Sequence, residues 1–207
     1  MVSYTITVHN EWEELYSLLN FLLNRITDED EVVIQSDSEK VTEDVENVIA
    51  DYIDKFKNFI YIKHPLANDF STFKNNLRKH CTKKWIFNID ADEVPSTFLM
   101  DNIHTILNSN ENVDMFLVPR WNVVEGITAD HVKKWNWKFD EEDRINWPDY
   151  QTRIYKNSDE IVWKNKVHER LTGYESYSSF PEEEAYCFYH IKSIERQEKQ
   201  NDFYSKM

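Results

Sequence analysis

The run Trp85-Ile86-Phe87-Asn88-Ile89 is short and mostly apolar, and it ends in three carboxylates within four residues, Asp90-Ala91-Asp92-Glu93. The apolar part reads as a buried strand. If the backbone stays extended past Ile89, the two-residue period of a strand turns Asp90 and Asp92 to the same side. Two carboxylates about 4 Å apart repel by roughly 4 kcal/mol at an effective dielectric near 20. Such a pair at a strand end calls for a cation, a shared proton or an arginine, and hard oxygen ligands suit Mg²⁺, Mn²⁺ or Ca²⁺. Taken alone, the run is equally readable as a solvated acidic turn capping the next helix, because Asp92 and Glu93 precede Pro95 and Ser96.

Stepping outward along the chain, Val2–Val8 alternates and is β-branched, which predicts a first strand. Trp12, Leu15, Leu18, Leu19, Leu22, Leu23 and Ile26 recur at helical spacing, and Val41, Val45, Val48, Ile49, Tyr52, Ile53 and Phe56 form a second stripe. Strands are expected at 31–35, 59–62, 85–89 and 114–119, with further helices marked by Phe70, Phe73, Leu77 and Cys81 and by Phe98, Ile103, Ile106 and Leu107. Regular alternation of strands and helices predicts an α/β fold with a mostly parallel sheet and right-handed crossovers. Ligands in such sheets sit beyond the carboxyl ends of the strands. That rule lines up His9-Asn10-Glu11, Ser36-Asp37-Ser38 and Asp90-Ala91-Asp92 along one rim, and three polar clusters at three strand ends make a site. After Arg120 the pattern changes to scattered Trp residues and short strands at 150–155, 161–163 and 185–189, then a polar helix at 191–204. The chain is therefore expected to be one domain, 1–207, with a ligand-binding half at 1–119 and a second, α+β half with antiparallel strands at 120–207.

Composition narrows the partners. With 207 residues and 41% hydrophobic content the chain can build a real core. A net charge of −14 argues against nucleic acid and anionic membranes, since phosphate backbones need a basic face. A diphosphate is still possible where a divalent metal and local Lys or Arg neutralise it. The only two glycines, Gly126 and Gly173, exclude a Gly-rich phosphate loop and a G-x-G-x-x-G fingerprint. Cys81 and Cys187 read as two buried thiols in a reducing, cytoplasmic setting. No secretory leader is expected in Val2–Asn10, and no apolar run reaches the 18 or so residues of a membrane span.

The ordered motifs resemble glycosyltransferase family 2 enzymes of the GT-A fold, particularly short ones carrying D-A-D-E. Val8-His9-Asn10-Glu11 resembles the family's V-x-N-E opening, and Val32–Ser38 resembles its second strand, with Ser36 in place of the first of two acids and Asp37 matching the second. Phe73-Lys74-Asn75 resembles the A-R-N element, with Lys74 at the usual arginine, and Asn75 stands fifteen residues before Asp90. Trp85–Glu93 is similar to W-I-L-x-L-D-A-D-E, Gln151–Tyr155 to the R-L-F strand, Trp163 with Val167-His168-Glu169 to W-x-x-x-V-H-E, and Tyr189-His190-Ile191-Lys192 to a late H-x-K element. The stretch from Val123 to Trp147 has no counterpart and is assigned to acceptor recognition.

The resemblance implies a GT-A-like, Rossmann-type sheet flanked by helices, with a smaller antiparallel acceptor-side region and a C-terminal helix. It implies transfer of a sugar from a nucleoside-diphosphate sugar, a UDP- or GDP-sugar first, to a glycan, lipid-linked or protein hydroxyl, with inversion and with Mn²⁺ or Mg²⁺ as cofactor. Asp90 and Asp92 are then the metal and nucleotide-sugar residues, the first facing the ribose or sugar and the second taking the cation that bridges the diphosphate, with both as candidate metal ligands. His168 or His190 is a candidate further ligand; an imidazole suits Mn²⁺ better than Mg²⁺. Asp37 faces the nucleobase, flanked by His9, Asn10 and Glu11. Asn75, Ala91, Arg153 and Lys192 complete the donor-binding set, with Lys192 and Arg196 on the last helix folding over the diphosphate or forming a solvated face. An inverting transfer needs a base for the acceptor hydroxyl. Glu169 is the first candidate, with a salt bridge to Arg153 or Arg170 as its structural alternative, and Asp149 is the second. Glu93 is read as an acid near a helix N-terminus. Trp135, Trp137 and Trp147 are read as a cluster for acceptor sugar rings or for core packing.

Two other readings compete. Asp90-Ala91-Asp92-Glu93-Val94 also fits D-x-D-x-[TV], the nucleophile motif of haloacid-dehalogenase-like phosphatases, although three β-α units precede it and Pro95 follows it. Ser36 in place of an acid also fits a degenerate transferase that binds nucleotide or glycan without turnover. An EF-hand is excluded by Val94 and Pro95 where an oxygen ligand and a glycine are needed.

Overall fold

The structure is a computed structural model and describes residues 1–142 and 144–204. The first half runs β1 (Val2–Val8), α1 (Trp12–Leu23), β2 (Glu31–Asp37), α2 (Glu43–Tyr52), β3 (Phe59–His64), α3 (Phe70–Arg78), β4 (Trp85–Asp90), β5 (Glu93–Pro95) and α4 (Thr97–Ser109). The second half runs β6 (Met115–Glu125), α5 (Ala129–Trp135), β7 (Ile145–Lys156), β8 (Val162–Lys164), β9 (Arg170–Thr172), β10 (Tyr177–Ser179), β11 (Phe188–Ser193) and α6 (Ile194–Tyr204).

Alternation decides which face each strand gives to which helix. Val2, Tyr4, Ile6 and Val8 of β1 join Trp85, Phe87 and Ile89 of β4 in the main core, under α1, α2 and α4. Burying each large apolar side chain there contributes about 1.5–3 kcal/mol. Ser3, Thr5 and Thr7 of β1 and Asn88 and Asp90 of β4 fall on the opposite face. That second face is covered by α3 and by a smaller core of Ile86, Met115, Tyr155, Ile161, Trp163 and Leu171. Helix α3 is tied to it through polar bonds: Gln35 Nε2 donates to the Phe73 carbonyl at 2.8 Å, and Asn76 Nδ2 donates to Gln35 Oε1 at 2.7 Å. Helix starts follow local chemistry. Asp69 accepts from Thr72 N at 2.9 Å to cap α3, and Ser96 accepts from Leu99 N at 3.1 Å to cap α4.

Among the described residues, the main sheet has nine strands, ordered β3-β2-β1-β4-β7-β6-β11-β5, with β10 beside β6. β3, β2, β1 and β4 are mutually parallel, as are β6 and β11, whereas β7 is antiparallel to β4 and β6, and β5 to β11. The expected mostly parallel α/β sheet is thus present, with a separate antiparallel pair, β8–β9. The order reverses at β1, whose neighbours are β2 and β4, and that is where such sheets open a crevice. The expected fifth strand, β6, is not the neighbour of β4 in the sheet order. β7 is inserted between them, and β6 runs on to Glu125 rather than ending at Pro119. Two further corrections and one addition apply. The chain turns at Ala91-Asp92 instead of staying extended. α5 forms inside the stretch that had no sequence counterpart. Ile191–Ser193 belong to β11, so Lys192 is a strand residue and the last helix begins at Ile194. Cys187 is buried and Cys81 only partly so. Among the described residues no helix is long and apolar enough to cross a membrane.

Gly173, just after β9, has φ +88°, and a Cβ there would lie 1.9 Å from the Glu160 carbonyl oxygen. The contact is with backbone, which cannot swing away. Gly173→Ala is therefore expected to cost at least about 2 kcal/mol through strain and overlap. Urea unfolding of the two proteins checks this; a change below about 0.5 kcal/mol overturns it.

Candidate active site

A cavity of about 780 Å³ opens at the carboxyl ends of β1, β2 and β4, where the sheet order reverses. It gathers His9, Asn10 and Glu11 after β1, Asp37 at the end of β2, and Asp90, Ala91 and Asp92 at the end of β4. Arg153, His168, Glu169 and His190 of the second half close it, with Lys74 and Phe73 of α3 and Arg196 of α6. Its lining holds six basic side chains, Lys40, Lys74, Arg120, Arg153, Arg196 and Lys199, and six acidic ones, Glu11, Asp37, Asp90, Asp92, Glu93 and Glu169. The chain has 24 Lys and Arg against 38 Asp and Glu. The cavity is therefore balanced in a strongly acidic protein, and a quarter of all its Lys and Arg converge there.

The turn after Asp90 gives the two aspartates different partners. Asp90 Oδ1 accepts from Thr7 Oγ1 at 3.2 Å, and Oδ2 accepts from Arg153 Nη2 at 2.8 Å. Burial opposes ionisation of Asp90, but Arg153, then Lys74 and Arg120, hold its carboxyl well below the usual range. Asp92 Oδ2 faces His190 Nε2 at 3.1 Å and lies 3.7 Å from Arg196 Nη2. Burial raises the Asp92 pKa, but His190 and Arg196 together bring it below the ordinary value. Glu93 is not a helix-terminal acid: it is fully buried in β5, where Oε1 accepts from Arg153 Nη2 at 2.5 Å and from Arg120 Nη1 at 3.0 Å. Arg153 thus clamps Asp90 and Glu93 together, which offsets the carboxylate repulsion without a cation.

Other side chains are fixed by similar means. Glu11 precedes α1 without capping it; Oε2 accepts from the backbone of His9 at 2.9 Å and Asn10 at 3.0 Å, and Oε1 pairs with Arg196 at 3.1 Å. Asp37 Oδ1 accepts from Glu39 N at 3.2 Å and Leu66 N at 3.1 Å, which sets it on the cavity wall. Glu169 is paired with Lys74 Nζ at 2.6 Å rather than with Arg153 or Arg170.

Three expected site residues do not line the cavity, and the expected metal ligands do not form one cage. Asn75 does not line the cavity; its amide bridges the Trp163 backbone, donating to O at 2.8 Å and accepting from N at 2.9 Å, and so ties α3 to β8. Asp149 is also outside the lining. Its Oδ2 accepts from Arg120 Nε at 2.9 Å and Nη2 at 2.6 Å and from Asn122 Nδ2 at 2.8 Å, while Oδ1 accepts from Gln151 at 2.7 Å, so both oxygens are engaged by protein donors. Lys192 is on β11, two residues from His190 and outside the lining, where burial brings its ammonium down to about 8 against the pull of Asp92. Asp90, Asp92, His168 and His190 do not converge into one cage: among the described residues no group of three or more His, Cys, Asp or Glu side chains does so. The alternation of β4 aims Asp90 at Arg153, and only Asp92 and His190 remain face to face. Their 3.1 Å separation is that of neighbouring donors on one divalent cation with bonds of about 2.1 Å. A diphosphate and water would have to supply the remaining ligands.

The tryptophans do not form one cluster. Trp135 and Trp137 pack at 4.8 Å beside α5, whereas Trp147 packs on Trp121 at 6.1 Å under the Arg144 guanidinium. Sequence reasoning missed Arg120 and Asn122. Arg120 follows the expected fifth strand directly and the strand-end rule could have found it; no local signal marks Asn122.

Residues 3–169 match the family described as Glycosyl transferase family 2. No curated protein matches the chain. Among solved structures, S. aureus TarS 1–349 is similar over 92% of this chain and 60% of that one, with 15% identity and a TM-score of 0.65. The structures titled as that protein in complex with UDP and with UDP-GlcNAc are similar at 14% identity and a TM-score of 0.66 each, over the same 92% of this chain. The chain thus spans about 60% of the length of those proteins, and at such identity the likeness is one of fold.

Proposed function

Because the chain belongs to glycosyl transferase family 2, we propose that the cavity binds a nucleoside-diphosphate sugar and that the protein transfers its sugar to an acceptor hydroxyl with inversion. The observation that carries this reading is the convergence of three strand-end clusters and a balanced set of charges on one 780 Å³ cavity. TarS has been crystallised with UDP and UDP-GlcNAc, so UDP is the first nucleotide to try. A nucleic-acid partner remains disfavoured, since net charge is −14. The phosphatase reading has no support from the family.

In this reading Asp37, His9, Asn10 and Glu11 border the nucleobase, and Asp90, fixed by Arg153 and Thr7, faces the ribose or sugar. Asp92 and His190 would hold Mn²⁺ or Mg²⁺. The cation, when bound, offsets charge on the departing diphosphate. Glu169, anchored by Lys74, is the base that takes the acceptor proton. As the acceptor oxygen bonds to the anomeric carbon from the face opposite the diphosphate, the bond to the diphosphate oxygen breaks and its electron pair leaves with the nucleotide. The 120–207 half supplies the acceptor side.

A thermal-shift panel of UDP, GDP, CDP and dTDP, each with and without Mn²⁺, tests the donor site. A ligand at a hundredfold excess over Kd stabilises the fold by about 2.7 kcal/mol. One nucleotide raising the midpoint only with Mn²⁺ is the expected result. No shift with any nucleotide, in folded protein, overturns the reading. Binding without turnover of any matching sugar nucleotide would instead identify a binding module.

A further inference from the structure

His190 is 5% exposed and has a polar group at each ring nitrogen. Nε2 faces Asp92 Oδ2 at 3.1 Å, and Nδ1 faces Asn122 Oδ1 at 3.0 Å. The orientation of the Asn122 amide is not free. Its Nδ2 donates to Asp149 Oδ2 at 2.8 Å, and a carboxylate only accepts. Flipping the amide would set its oxygen against that carboxylate. Asp149 is in turn held by two nitrogens of Arg120, and Arg120 also reaches Glu93. A chain of directed bonds therefore runs from the buried ion network through Asp149 and Asn122 to the imidazole. It ends by offering Nδ1 an acceptor, which is satisfied only when Nδ1 carries hydrogen.

Without a cation, the same Nδ1–H bond is kept by an imidazolium whose Nε2–H donates to Asp92. When a cation takes the place of that proton, the neutral ring keeps its hydrogen on Nδ1 and presents the Nε2 lone pair to the metal beside Asp92. Ring nitrogens of metal-ligating histidines are oriented in this way, by a bond from the other ring nitrogen to a fixed acceptor. We propose that Asn122, locked by Asp149, is the positioning residue that holds His190 with its Nε2 toward a cation beside Asp92, so that the two form the protein's half of a divalent-cation site. The inference rests on the donor-site reading above and adds to it two residues, Asn122 and Asp149, that lie behind the cavity.

The test uses the whole chain with UDP, following Mn²⁺ binding by calorimetry. Asn122→Leu removes the acceptor and is expected to weaken Mn²⁺ binding about 10- to 100-fold, with an unchanged thermal midpoint in the absence of metal. The double variant Asn122→Asp/Asp149→Asn keeps an acceptor facing Nδ1 and reverses the bond between the two side chains, so that no carboxylates oppose each other, and is expected to restore Mn²⁺ binding to within a few-fold of the natural protein. A structural role for Asn122 would weaken both variants alike, and that result overturns the proposal. If the natural protein binds UDP but no Mn²⁺, the cation site and this inference fall together. If it binds Mn²⁺ and Asn122→Leu binds it equally well, the inference alone falls. Should Asn122→Leu not fold, ¹⁵N-histidine NMR of the natural protein with UDP and Mg²⁺ decides: hydrogen on Nδ1 of His190 is expected, and hydrogen on Nε2 with a bare Nδ1 overturns the proposal.

Discussion

Replacing Arg153 with alanine is expected to destabilise the protein by about 3–5 kcal/mol. Arg153 is 3% exposed and supplies one guanidinium nitrogen to both Asp90 and the fully buried Glu93. Removing one partner of a buried ionic group leaves the other charges uncompensated, which typically costs that much, whereas a surface pair contributes about 0–1 kcal/mol. The substitution leaves two carboxylates facing each other with Arg120 alone still bonded to Glu93. Lysine is not expected to restore the loss in full, because an ammonium is more strongly hydrated than a guanidinium and costs more to bury. Urea unfolding with the slope held constant measures the difference. A loss below about 1 kcal/mol would mean that the network is solvated and that Asp90 is positioned by something else.

Asp92→Asn is expected to reduce sugar transfer at least about 100-fold in kcat while leaving the fold intact. The substitution keeps the shape of the side chain at the turn and removes the charge that faces His190 and Arg196. Charge stabilisation by a metal at a departing group contributes several kcal/mol, and each 1.36 kcal/mol is about tenfold in rate. The same variant should lose the Mn²⁺-dependent part of nucleotide binding. Turnover and Mn²⁺-dependent binding that both survive the change would remove Asp92 from the reaction.

Much of this site was legible along the chain because it is built from strand ends. A strand's exit residues are adjacent in sequence, so Asp90 and Asp92, Asp37 and the His9-Asn10-Glu11 group could be named from local pattern and the parallel-sheet rule alone. Arg153, His168, Glu169 and His190 were recognised through motifs in order, without a physical reason for their convergence. That reason is the insertion of β7 between β4 and β6, and the parallel pairing of β11 with β6. Residues 60–100 positions downstream are carried to the mouth of β4 by these pairings, and nothing local specifies them.

The errors have the same origin. Asn75 and Asp149 are residue types that suit a binding site, but their partners, the Trp163 backbone and Arg120, come from distant segments. Glu93 read as an acid near a helix N-terminus because Pro95 and Ser96 follow it, and only packing reveals that two arginines enclose it.

What the sequence determined by itself was periodicity and chemistry: which residues alternate, which repeat every third or fourth position, where strands end in acids, and that too few glycines exist for a phosphate loop. Those are properties of a few adjacent residues. Tertiary structure decided the partner of each charge, because an ion pair or a bond to an imidazole depends on distances of about 3 Å between segments whose order in the sheet differs from their order in the chain. Asp90 and Asp92 are two residues apart, yet one is held by Arg153 and the other faces His190, and only the turn between them and the strands beside them make that division.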